Sequence, residues 1–127
     1  MPEKHLFEYA VIRVVPRVER EEFINVGIIL YCAKQKFLRA AIVIDQDRLL
    51  AFAPQIEIDF LEKNLNAIVT ICEGGDDAGP IGRLDNASRF RWLTATRSTV
   101  VQPSKVHPGF CKNAEETFEK LTRQLVL

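Results

Sequence analysis

Ten residues, Phe23-Ile24-Asn25-Val26-Gly27-Ile28-Ile29-Leu30-Tyr31-Cys32, constrain this chain more than any other stretch. They are too apolar and too rich in β-branched types to lie anywhere but in the middle of a sheet. Asn25 and Gly27 alone interrupt the run. Two residues apart in a strand means one face, so the pattern places their side chains together. A glycine inside a strand marks a bulge or the close approach of another backbone or a ligand. A half-buried asparagine needs partners for up to four hydrogen bonds. Two readings therefore stand side by side: a structural irregularity in the strand, or part of a binding site.

The neighbouring segments read as a meander. Phe7 to Val15 alternates like a strand and stops at Pro16, and residues 17–21 form a charged link of hairpin length. Symmetric pairing about that link sets Arg13 opposite Asn25 and Val11 opposite Gly27. A second short loop, 33–36, leads to a third strand from Phe37 to Ile44. Asp45-Gln46-Asp47 opens a helix, with Pro54 ending it or starting the next one, and with Asp45 or Asp47 as its cap in preference to a metal ligand. Ile58, Leu61, Leu65, Ile68 and Cys72 fall three and four apart and predict an amphipathic helix ending at Gly74-Gly75. Residues 74–86, rich in glycine and aspartate, read as a mobile loop. Residues 87–96 fit a short strand or a helical turn equally well. Ser98 to Gln102, closed by Pro103, predicts a fourth strand at a sheet edge, and Val106 to Phe110 a turn. Asn113 and Glu116 form a capping box for a terminal helix with Ala114, Phe118, Leu121 and Leu125 on one face. The order predicts an α+β fold in a single domain over residues 1–127: an antiparallel sheet of about four strands, meander first, with two main helices packed on one face.

Charge excludes some functions. Lysine and arginine total 17 against 17 acids, so no global basic field exists to hold nucleic acid, whose non-specific affinity comes mainly from phosphate neutralisation. The charges are segregated nevertheless, with six basic residues against Asp85 between Arg83 and Lys112, and eight acids against Arg48 and Lys63 between Asp45 and Gly79. Cys32, Cys72 and Cys111 lack the paired spacing of a zinc site or a disulfide framework. They read as reduced thiols, and no cofactor is signalled. The N-terminus lacks the apolar stretch and cleavage site of a secretory signal, and no apolar run approaches the ~20 residues that span a bilayer. The expected location is the cytoplasm.

Candidate chemistry is thin. Only His5 and His107 are available for a histidine-based triad, and neither a nucleophile elbow nor a phosphate loop occurs. One segment stands out: Arg89, Arg91, Thr94, Thr96, Arg97, Ser98, Thr99, Gln102, Ser104 and His107 crowd basic and polar groups suited to phosphate or carboxylate oxygens. Pairing of the fourth strand beside the first would join Arg97 and Gln102 to Arg13, Arg20, Asn25 and Gly27 at one end of the sheet. Those six residues are the candidate polar site. Phe90 and Trp92, set between arginines, have the alternative roles of base-stacking platforms and core residues.

The stretch from Tyr9 to Gly27, with Arg20-Glu-Glu-Phe-Ile-Asn-Val-Gly27, and the stretch from Arg89 to His107, with Arg97-Ser-Thr-Val-Val-Gln-Pro-Ser104, resemble a family of short bacterial proteins known only as a domain of unknown function, number thirty thirty-seven. The resemblance covers nearly the whole chain and departs at Thr96, where proline is expected. It implies a fold and no activity. It also implies a partner, because members of that family are encoded beside proteins resembling the HipA-type kinases of toxin-antitoxin systems. The resulting expectation is a binding or accessory protein without catalysis of its own that works with a HipA-like kinase. The alternative is an enzyme or nucleic-acid processing protein acting on a phosphate-bearing substrate through the Arg/Asn cluster.

Overall fold

The computed structural model describes residues 4–95 and 99–127. Its centre is an antiparallel meander of β1 (His5–Val14), β2 (Ile24–Cys32) and β3 (Phe37–Ile42). β2 lies between the other two and contributes Ile28, Ile29, Leu30 and Cys32, all without solvent exposure. The outer side of β1 is shared end to end by two short strands, β4 (Val101–Pro103) beside its C-terminal half and β5 (His107–Cys111) beside its N-terminal half. The described residues also form five α-helical segments: α1 (Gln46–Phe52), α2 (Ile58–Glu73), the single turn α3 (Gly79–Gly82), α4 (Asn86–Leu93) and α5 (Ala114–Leu125). The fold is α+β.

Helices cover both faces of the sheet. On one face Leu49 of α1, Leu61, Leu65, Ile68 and Cys72 of α2, and Phe90 and Leu93 of α4 pack with Ile12, Val14, Ile24, Val26 and Ile29. On the other, Ala114 and Phe118 of α5 pack with Phe7, Ile28, Leu30, Cys32 and Cys111. The two main helices thus lie on opposite faces, contrary to the expected one-sided arrangement. The reason lies in β2, whose residues are apolar at almost every position and offer a core to either side. Gln35, in the β2–β3 turn, anchors the start of α5: its amide donates to the Lys112 carbonyl (2.7 Å) and accepts from the Ala114 N–H (2.8 Å).

Caps set the helix starts. Asp45 accepts from the Arg48 amide (3.1 Å), Asp85 from the Ser88 amide (2.7 Å) and Asn113 from the Glu116 amide (3.0 Å), each satisfying a donor with no partner inside its helix. Asp45 is therefore the cap of α1. Residues 86–93, ambiguous in sequence, are helical because Asp85 starts a helix whose Phe90 and Leu93 both reach the core. The stretch 74–86 is more ordered than a loop, holding a 3-10 turn (Asp76–Ala78) and α3. Val106 to Phe110 differs from expectation too. It enters β5, where Pro108 and Gly109 are tolerated because the strand has no neighbour on its outer side. Among the described residues the fourth strand runs Val101–Pro103, with Ser98 of the expected span lying outside them, and its position beside β1 is the edge position its proline predicts.

Candidate functional site

The register of β1 against β2 explains both interruptions of the apolar run. Ile12 pairs with Gly27 and Arg13 with Asn25, so Val26 is an extra residue and β2 carries a bulge there. Symmetric pairing places Arg13 correctly but is one residue out for Gly27, which faces Ile12 rather than Val11. The bulge also breaks the alternation of side chains. A β-carbon on Gly27 would lie 2.6 Å from the Ala41 carbonyl oxygen and 2.6 Å from Ile42 Cδ1, beside Ile12. Gly27 is thus where the β3 backbone approaches closely, on the α2 side. Asn25 lies between Ile24 and Val26 of that same core and points the other way, donating from Nδ2 to the Leu125 carbonyl at the end of α5 (3.1 Å). The expected common face does not exist, because the extra residue inverts it.

On the α5 side, Asn25, Arg13 and Gln102 stand in one straight row across β2, β1 and β4. The Arg13 guanidinium carbon lies 4.0 Å from the centre of the half-exposed Phe23 ring. Among the described residues, the Arg13 side chain makes no hydrogen bond or ion pair, and its buried Nε lacks a partner, as does buried Oδ1 of Asn25. Gln102 donates from Nε2 to the Thr99 carbonyl (2.7 Å). Asn25 also lines a cavity of about 220 Å³ whose walls include Val43, Arg48 and Val126. Arg20 stands apart, exposed and bonded to Glu22, whose hydrogen bond and charge raise its proton affinity. Arg97, with Thr96 and Ser98, lies outside the described residues. The six candidates therefore divide: Arg13, Asn25 and Gln102 meet, while Gly27 and Arg20 do not join them.

The arginine and hydroxyl cluster mostly dissolves into local structure. Arg89 is buried and donates to the Ile71 and Cys72 carbonyls (both 2.8 Å), to the Leu84 carbonyl (3.0 Å) and to Asn86 Oδ1. It closes the C-terminal end of α2, where unpaired carbonyls concentrate partial negative charge. Gly74 makes room for it: φ is +77° there, and a β-carbon would lie 2.7 Å from Arg89 Nη1. Cys72 sits beneath, and burial pushes its thiol up to about 12, against the opposing effect of Arg89. Thr94 and Thr99 hydroxyls donate to main-chain carbonyls, and Ser104 Oγ accepts from the Val11 amide (2.8 Å). Phe90 is core, whereas Trp92 is half exposed. The His107 ring lies 5.3 Å from that of Tyr9. Among the described residues, no three His, Cys, Asp or Glu side chains gather as metal ligands, and no helix is long and apolar enough to cross a membrane.

A second feature is assembled from segments far apart in sequence. Pro16, Ile56, Phe60, Leu61, Val100 and Val101 line a groove of about 660 Å³ between the start of α2 and the outer side of β4. Phe60 is 62% exposed within it, although its helix has a well-formed buried stripe elsewhere. Phe52 and Pro54 extend the apolar surface beyond Pro16 into a neighbouring depression that also holds Arg17, Arg20 and Glu22. Phe60 follows Ile58 and Asp59 on the outer side of the first turn, so the helical pattern does place it off the core face.

Fold and surface together define a small α+β protein with a two-sided meander, a surface groove and a polar row at one sheet end. The chain belongs to the family described as Protein of unknown function (DUF3037), whose model matches residues 9–126. No curated protein and no solved structure matches it.

Proposed function

We propose that this is a binding or accessory protein without catalysis of its own, which acts by docking onto a protein partner, and that the partner is a HipA-like kinase. The observation that carries the reading is the apolar groove between α2 and β4, with Phe60 at 62% exposure. A large aromatic ring held in water by a rigid helix gains nothing for the isolated fold. At an interface such rings are the residues that dominate binding energy. The kinase is the partner that the genomic setting of the family suggests.

Co-expression with the kinase-like protein tests this. The pair should elute together at micromolar concentration, and Phe60→Glu should separate them while leaving the melting temperature within a few degrees of wild type. Separate elution of the wild-type proteins removes the partner, and co-elution that survives Phe60→Glu removes the groove.

A further inference from the structure

The row on the α5 side is independent of the groove, which lies by α2, and it poses its own problem. An arginine with its Nε buried carries a charge that no carboxylate balances among the described residues, and Asn25 presents a buried acceptor that nothing donates to. Buried polar atoms left unpaired are destabilising, so a fold that keeps two of them on neighbouring residues of one row has a use for them. The orientation of the amide is not free. Nδ2 is held by the Leu125 carbonyl, which can only accept, so Oδ1 is the atom that remains.

We infer that Arg13 and Asn25 form a binding site for an oxyanion that carries a hydrogen, the class of inorganic phosphate and singly protonated phosphomonoesters. One oxygen of such a group accepts from Arg13 while its O–H donates to Asn25 Oδ1. A fully deprotonated oxyanion meets only the first demand and sets a second acceptor against Oδ1. The Phe23 ring over the guanidinium is 44% exposed, so what covers Arg13 is a surface side chain and not packed core. The bulge at Val26 is what sets Asn25 opposite Arg13, on the α5 face of the sheet.

The test is calorimetric titration of the whole chain at about pH 6, where phosphomonoesters are about half protonated, with inorganic phosphate, O-phosphoserine and sulfate. Phosphate or phosphoserine should bind saturably, and the tighter of the two identifies a free or an esterified ligand. Sulfate, unprotonated at this pH, should bind roughly tenfold more weakly or worse, the penalty of an unsatisfied buried acceptor. Arg13→Gln should reduce phosphate binding at least tenfold, and Asn25→Asp should abolish it by placing a carboxylate where the anion sits. Arg13→Lys keeps the charge and the aliphatic stem without the Nε donor, and should weaken binding several-fold in a protein that melts like wild type. No saturable binding by wild type, equal affinity for sulfate, or unchanged affinity in Arg13→Lys and Asn25→Asp each overturns the proposal. Phe60→Glu should leave phosphate binding unchanged, so the site and the groove stand or fall separately.

Discussion

Gly27 and Asn25 stand two residues apart in a sequence pattern that makes them partners, yet they do opposite work. Gly27 is a packing residue whose missing side chain lets the β3 backbone and Ile42 close on β2. Its φ is not in the left-handed region, so steric contact alone decides the effect of a substitution. Ala41's carbonyl belongs to the ladder and cannot swing away as a side chain end can. Gly27→Ala should therefore destabilise by about 1–3 kcal/mol, the usual range for overpacking. Urea unfolding measures it, and an unchanged midpoint would mean that β3 is free to shift. Asn25 is legible as a residue in need of partners, and one of its bonds, to the end of α5, is long-range in sequence and invisible there. Arg89 makes the same point from the other direction. A residue in a basic run looks available for a ligand, and the fold spends it on the end of a helix.

At the scale of elements, the helix starts were the most legible features because capping is local chemistry. Asn113 and Glu116 announce α5, and the structure places the Asn113 side chain on the Glu116 amide. Asp85 caps α4 in the same way, though its segment reads equally as strand or helix in sequence, and it adds a dependence on pH. Hydrogen bonds from the Ser88 side chain and amide hold its carboxyl below the ordinary range. A depressed folded pKa means that the stabilisation is complete above the unfolded value, near 4, and lost as pH falls through the folded one. Asp85→Asn keeps a capping oxygen that does not titrate. The stability difference between wild type and Asp85→Asn should shrink as pH is lowered from about 6 to about 3. A difference constant across that window in urea midpoints would remove the charged cap from the account. β5 was not legible for an equally local reason: Pro108-Gly109 punctuates a sequence like a turn, and only its place on the outside of β1 allows the strand.

At the scale of the molecule, one sheet holds two cores. The α2 core and the α5 core share β2, whose alternate residues feed each, so damage to one should be felt in the other. Phe118→Ala and Leu65→Ala should each cost about 3 kcal/mol. In both variants unfolding followed by Trp92 fluorescence, on the α4 side, should coincide with unfolding followed by far-ultraviolet circular dichroism. A Trp92 transition left in place by Phe118→Ala would show that the α5 face folds separately.

The sequence by itself determined the meander, the positions and caps of the main helices, and the importance of the run around Asn25. Each is written in propensity, period or spacing over fewer than about 20 residues, where local energetics decide. Which face each helix takes, the bulge that parts Asn25 from Gly27, the burial of Arg89 and the groove around Phe60 were decided only by tertiary structure. An amphipathic helix reads alike whichever side of a sheet it covers, and an extra residue in a strand has no local signature. Those choices follow from which packing of the whole chain buries most apolar surface while pairing most of its backbone.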